Sequence, residues 1–222
     1  HDRNTGEPIP EHISARWQDI ESLLTGLLNT ANNLEENKFH PVLTAAKIAF
    51  GFVFIHPFED GNGRIHRYLI HHLLSVMKYT PQGIIFPVSA AILDKIEEYR
   101  KVLESYSHPL LDFIQWKKTG NNNIKVLNET IDYYRYYDAT AQAEFLFDCV
   151  DYTIQKIIPE EVLYLQKFDA MKTWLDDRFQ MSDKTVDLLI RFLEQNNGTL
   201  SKRAREKEFK ALTDQEINAI EE

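Results

Sequence analysis

Apolar residues return every three or four positions after Pro10-Glu11: Ile13, Trp17, Ile20, Leu24, Leu27 and Leu28. That spacing predicts an amphipathic helix over about 11–31. Pro41 opens a second segment, Val42 to Ile55, apolar on nearly every side except Lys47. A helix of that kind belongs in the middle of a core. Gly61-Asn62-Gly63 interrupts the pattern, and Ile65, Leu69, Leu73 and Val76 resume it over Arg64 to Tyr79, where Pro81 and Gly83 end it. Ile84 to Pro87 reads as a short extended connector. Ser89 suits the N-cap of a helix through about Tyr106, and Pro109 the start of a short one through Trp116.

Thr119-Gly120-Asn121-Asn122-Asn123 is the clearest boundary signal, dividing residues 1–118 from residues 124–222. Helical spacing then predicts a long helix from Ile124 to about Ile158, another from Pro159 to Phe179, and shorter ones at about 183–195 and 200–210. Thr213 and Glu216 have the spacing of a capping box and open a last helix. The fold class expected is all-α, with strands confined to a short hairpin near the N-terminus.

The 222 residues carry a formal charge of −9. Such acidity is poorly suited to non-specific phosphate-backbone binding, so nucleic acid is not the expected partner. Lys202 to Lys210 holds five basic residues, but Glu206 and Glu208 dilute them into the pattern of a solvated face. A lone cysteine, Cys149, excludes an intrachain disulfide. The longest apolar run, Ile48 to Ile55, is far short of the ~18 residues that span a bilayer. No signal-peptide pattern opens the chain, so the cytoplasm is the expected compartment. The start at His1 rather than Met leads us to expect a segment upstream of it.

Candidate chemistry concentrates in His56-Pro57-Phe58-Glu59-Asp60-Gly61-Asn62-Gly63-Arg64-Ile65-His66-Arg67. Glycines at a helix start let successive N–H groups converge on one spot, where the helix N-terminus adds positive potential. Arg64 and Arg67, at i and i+3, project from one helix face, and two guanidinium groups suit a polyphosphate. Asp60 supplies a hard oxygen ligand for Mg²⁺ beside this anion site. His56 ends the apolar helix and is suited to take a proton from a hydroxyl. Together these residues point to transfer chemistry on a phosphate ester.

The segment resembles the Fic family signature, His-x-Phe-x-(Asp/Glu)-Gly-Asn-Gly-Arg-x-x-Arg, and matches all eight defined positions. With each residue near one in twenty, chance produces this on the order of 10⁻¹⁰ per start position. The resemblance covers roughly residues 8–117; residues 124–222 resemble helical extensions of many bacterial Fic proteins. It implies protein adenylylation, in which a Ser, Thr or Tyr hydroxyl of a protein target attacks the α-phosphate of ATP and pyrophosphate leaves. On this resemblance His56 is the general base and Asp60 holds Mg²⁺. Gly61, Asn62 and Gly63 cradle the α- and β-phosphates, and Arg64 and Arg67 bind the outer ones. Phe58 points into the core, and Tyr99 lies beside the adenine.

Intact glycines favour nucleotidyl transfer over the phosphorylation carried out by relatives with Lys at the position of Gly63. The family's inhibitory motif, (Ser/Thr)-x-x-x-Glu-(Gly/Asn), is missing: Glu36-Asn37 is preceded at position 32 by Asn. An upstream segment or an antitoxin-like partner that engages Arg67 is expected to supply it. Transfer or removal of another group (UMP, phosphocholine, or AMP itself) stays open, as does a nucleotide-sensing module that binds a partner or DNA through its helical second half. Homo-oligomerisation is also open. His66, His71 and His72 lack the i+3 or i+4 spacing of a helical zinc pair. The tyrosines of 133–137 are expected to pack between helices rather than stack on bases.

Overall fold

The computed structural model describes residues 10–81, 86–120, 123–178 and 181–221. Eleven helices, a π-helical turn and a two-stranded hairpin make up the described chain, so the class is all-α. It divides into two compact units, His1–Ile157 and Ile158–Glu222.

The first unit is organised around α2 (Pro41–Ile55), in which twelve of fifteen residues are buried. His40 caps it, its Nδ1 accepting from the Val42 N–H at 3.3 Å. Fully burying a side chain such as Phe50 or Ile55 contributes about 1.5–3 kcal/mol, which explains why so apolar a helix occupies the centre. It packs against α1 (Ile20–Glu36), α3 (Asn62–Val76) and α7 (Thr140–Tyr152). Gly51 allows the close approach on one side: a Cβ there would meet Leu27 Cδ1 at 3.0 Å and the Tyr137 ring at 3.6 Å.

Several elements differ from the sequence expectation. The first helix starts at Ile20, not near residue 11. Residues 12–16 are irregular, and the Ala15 N–H donates to the Ile55 carbonyl at 3.0 Å. Arg16 holds this segment in place, with Nε on Asp19 at 2.7 Å and Nη1 on Glu129 at 2.8 Å. Trp17, expected on the buried face, is 79% exposed as a result. The helix expected over 89–106 is two, α4 (Val88–Asp94) and α5 (Ile96–Leu110). Pro109 lies inside α5 instead of starting a helix.

The long helix expected over 124–158 is also broken. Trp116–Lys118 (β1) and Ile124–Val126 (β2) pair antiparallel with Lys117 opposite Lys125. At the end of the ladder the Thr119 N–H donates to the Asn123 carbonyl at 2.8 Å. Among the described residues this is the only hairpin, and it lies mid-chain; residues 1–9 fall outside the described set. A short α6 (Ile131–Arg135), then α7 and the π-helical turn Thr153–Ile157, complete the unit. Ile84 and Ile85 of the connector expected at 84–87 lie outside the described residues.

The second unit contains α8 (Ile158–Asp176), α9 (Asp183–Gln195), α10 (Lys202–Glu206) and α11 (Asp214–Glu221). Leu175, Val186, Leu189, Leu200, Phe209 and Ile217 form its core. The expected capping box is present: Glu216 Oε2 accepts from the Thr213 N–H at 2.6 Å, and Thr213 Oγ1 from the Glu216 N–H at 3.3 Å. No described helix is long and apolar enough to cross a membrane.

Candidate active site

The site lies where α2 ends and α3 begins. His56 is the C-cap of α2 with a left-handed backbone, φ 52° and ψ 59°, a conformation that residues other than glycine seldom adopt. The buried helix behind it fixes the angle at which the ring leaves. Its Nδ1 is 3.2 Å from the Val53 carbonyl oxygen. A carbonyl only accepts, so this contact puts the ring hydrogen on Nδ1 and the lone pair on Nε2.

The following loop is held by Asn62, which is only 2% exposed. Its Nδ2 donates to the Phe58 carbonyl at 2.6 Å, and its Oδ1 accepts from the Phe58 N–H at 3.1 Å. Gly61 has φ +93°, which L side chains rarely adopt, although a Cβ would have room beside Arg64. The first N–H groups of α3, at Asn62 and Gly63, have no acceptor within the helix and are available to an anion.

Asp60 is almost wholly exposed, with Oδ1 accepting from the Gly61 N–H at 2.6 Å and Oδ2 from Arg64 Nη2 at 2.9 Å. Arg64 is exposed as well, so this pair is weak and readily exchanged for a stronger anion. Arg67 is half-buried, and among the described residues its guanidinium makes no ion pair. A Cβ on Gly63 would lie 3.8 Å from Arg67 Nη1, which places the second arginine against the loop.

A nest of helix N–H groups, two arginines, a carboxylate and an imidazole with a free lone pair therefore share one helix junction. The segment from residue 2 to residue 74 matches the family model described as Fic/DOC family. That segment is a Fic family domain. Among its relatives, the protein adenylyltransferase Fic of Drosophila grimshawi is 35% identical over 85 residues, 38% of this chain and 17% of that protein. The proteins of the same name from Aedes aegypti and Nematostella vectensis are 37% and 30% identical over 70 and 84 residues. Those matches span 32% and 38% of this chain, and 14% and 20% of the relatives. The match therefore covers about a sixth of these relatives' length. No solved structure matches the chain significantly.

Within this Fic signature the structure joins Asp60 to Gly61 and Arg64 and sets Gly63 against Arg67, while His56, at the end of the preceding helix, faces the cleft beside Phe58 and Glu59. Asn62 turns its side chain to the loop itself, leaving its backbone N–H for a ligand. Phe58, expected in the core, is 50% exposed, with its ring 6.2 Å from Phe52. The Asn62 clamp holds the Phe58 backbone, and its side chain faces outward. Tyr99 is buried in an aromatic cluster with Phe50, His66 and Phe145. Burial pushes its hydroxyl up to about 12, with Arg67 pulling the other way.

His56 opens on a cleft of about 610 Å³ whose lining includes Ala15, Trp17, Phe58, Ile124 and Val126. One wall is therefore the irregular segment after Pro10, and another is the β2 strand. Neither carries a chemical motif, so neither was readable as part of the site. His12 was missed for the same reason. Its ring packs against that of His56, with centroids 5.4 Å apart.

Proposed function

We propose that the chain is a protein adenylyltransferase, moving AMP from ATP to a hydroxyl on a protein target. The observation that carries this reading is the junction itself. The His56 ring and the free N–H groups of Asn62 and Gly63 flank one loop clamped by Asn62, with Arg64 and Arg67 on the helix that follows. The Fic/DOC match and the adenylyltransferase names of the relatives support it at the level of the family.

In this reading the β- and γ-phosphates take the place of Asp60 on Arg64 and also engage Arg67, while the N–H groups at the start of α3 orient the α-phosphate. The target hydroxyl enters through the cleft beside His56. Its oxygen forms a bond to the α-phosphorus as the bond from that phosphorus to the bridging oxygen of the β-phosphate breaks. The hydroxyl proton passes to His56 Nε2, and pyrophosphate leaves with the bridging electrons. The Nδ1–H bond to Val53 keeps the ring in the tautomer that can accept.

Asp60 is the residue that would hold Mg²⁺. Among the described residues no three His, Cys, Asp or Glu side chains group to cage an ion. One exposed carboxylate beside a phosphate site fits an ion that takes most of its ligands from phosphate and water. Such an ion neutralises phosphate charge.

The test is incubation with protein targets and ATP labelled at either the α- or the γ-phosphate. Protein-bound α-label without γ-label is expected. Transfer of γ-label would make the enzyme a kinase. Nucleotide binding with no transfer of either label would favour the nucleotide-sensing module, and competition by UTP would reassign the group transferred. An inhibitory segment that places a glutamate on Arg67 belongs to the same reading, since the Arg67 guanidinium makes no ion pair among the described residues.

A further inference from the structure

The cleft beside His56 takes all three residues of β2 into its lining and none of β1. Successive strand residues face opposite sides of a sheet, so a cleft touching Ile124, Lys125 and Val126 alike runs along the outer edge of β2. That edge has unused bonding capacity. The Thr119 N–H donates to the Asn123 carbonyl at 2.8 Å, and the Leu127 N–H to the Gln115 carbonyl at 2.7 Å. Bonding alternates along an antiparallel pair, so Asn123, Lys125 and Leu127 bond inward, while Ile124 and Val126 turn their N–H and carbonyl groups outward. The Ile124 N–H is taken by Asn123 Oδ1 at 2.8 Å. The Val126 N–H and the carbonyls of Ile124 and Val126 have no partner among the described residues. A bare strand edge is a template for another extended chain.

The charges indicate what that chain carries. Trp116, Ile124 and Val126 pack on the core of the unit, which leaves Lys117 and Lys125 on the other, exposed face. These two lysines stand directly opposite each other in the ladder. Like charges at such a pair destabilise a hairpin. Neither lysine makes an ion pair among the described residues. Between Asp112 and Glu129 the sequence has three lysines and no acidic residue, a local reversal of sign in a chain of net charge −9. Lys125 lines the cleft and Lys117 does not, so their repulsion favours the Lys125 ammonium on the side of the open edge. Of the other charged residues in the lining, Arg16 is held by Asp19 and Glu129, and Glu59 lies on the loop after His56 rather than on the hairpin. The exposed rings of Trp17 and Phe58 add apolar surface to the same cleft.

We propose that β2 docks the target: an extended segment of the protein that accepts AMP lies along the outer edge of β2, bonds its backbone to Val126 and places an acidic side chain on Lys125. The proposal rests on the transfer reading, in which the hydroxyl enters through this cleft. Backbone pairing is blind to sequence, so the selection comes from charge. A segment that carries an acid beside its hydroxyl is favoured, and one that carries a lysine there is rejected.

The test uses two synthetic peptides of about eight residues built from Thr and Val, one with two Asp and the other with two Lys at the same positions. Binding is followed by fluorescence anisotropy, and transfer by label from α-labelled ATP. We expect the unmodified chain to bind the Asp peptide about tenfold more tightly than the Lys peptide, an advantage that fades in high salt. Lys125→Glu is expected to remove the preference and to raise KM for the Asp peptide about tenfold with kcat unchanged. That variant also sets an opposite charge against Lys117, so the hairpin is not weakened. The Asp peptide N-methylated at every residue keeps its charge but cannot pair with a strand, and is expected to bind at least tenfold more weakly. Equal affinity for the two peptides, a preference that survives Lys125→Glu, or undiminished binding of the methylated peptide overturns the proposal and leaves the transfer reading intact. Charge-dependent binding of an unmethylated peptide that never receives label supports the docking edge and sinks the transfer reading instead. A dimer seen by sedimentation that neither peptide dissociates, with neither peptide bound, gives the edge to a second copy of the chain and overturns the proposal.

Discussion

The two compact units differ in the polar side chains they bury: among the described residues all nine buried polar or charged ones lie in the first. In the second, Arg205 Nη2 donates to both carboxylate oxygens of Glu221 at 2.8 Å, and the Leu200 N–H donates to Glu221 Oε1 at 2.7 Å. Ser182 and Ser201 cap α9 and α10 through their side chains. In the first, six side-chain atoms are buried without a partner: His12 Nε2, Thr44 Oγ1, His66 Nε2, Tyr106 Oη, Thr130 Oγ1 and Gln142 Oε1. Among the described residues every such atom falls in the unit that carries the signature. That unit also holds His56 in a left-handed conformation. Of these orphans His66 belongs to the signature segment and His12 packs on it, whereas left-handed backbone outside glycine occurs in both units, including at His56 and at Asn197.

The sharpest way to break this contrast is to loosen the clamp. Asn62→Ala removes two buried hydrogen bonds and leaves the Phe58 N–H and carbonyl without them, costing about 1–3 kcal/mol of stability. We expect transfer to fall at least a hundredfold, by loss of positioning at the anion nest, while thermal unfolding still reports a folded chain. Near-normal transfer by Asn62→Ala would show that the loop does not depend on its clamp.

A smaller effect is expected at Arg67. Replacing it by Ala should weaken ATP binding by calorimetry about tenfold or more, since charge-assisted contacts to phosphate are worth roughly 1.5–3 kcal/mol. Arg64→Ala should cost less, because its guanidinium is exposed and must first leave Asp60.

The buried histidines sharpen the contrast through pH. Burial holds both His12 and His66 at about 4, with Arg67 adding to the effect on His66 and a bond to the Ala49 carbonyl opposing it. Between about pH 6.5 and 4 the unfolded chain binds protons at these sites that the folded chain refuses. Stability therefore falls as pH drops through that window, by up to about 1.4 kcal/mol per pH unit for each histidine, and is unaffected by them above it. A thermal midpoint followed from pH 7 to 4 should show the decline, and His12→Phe should remove about half of it. The smallest effect on activity belongs to the second unit. Glu221→Ala should lower that unit's stability by about 1–3 kcal/mol yet leave transfer at the unmodified rate. A large loss of transfer would join the two units functionally.

The helix junction was legible because the glycines and asparagine of the signature specify a break between two helices. The class was legible from helical spacing, and so was the central position of α2, which is apolar on almost all sides. What failed was local. Periodicity carried the first helix through Trp17, but Arg16 uses Asp19 and Glu129 to hold residues 12–16 irregular, a contact across more than a hundred residues that no local pattern encodes. Ile124 to Val126 fits a helical pattern as well as a strand, and it is the pairing with Trp116–Lys118 that makes it a strand. Pro109 looked like a helix start, yet it sits within the last turn of α5. The cleft walls and His12 left no trace in the sequence because their role arises from packing.

The most direct test sets the unmodified chain beside His56→Ala in one experiment that measures ATP binding by calorimetry and transfer from α-labelled ATP. The predicted result is unchanged binding, with transfer at least a hundredfold lower in the variant. Transfer by His56→Ala at the rate of the unmodified chain would contradict the account.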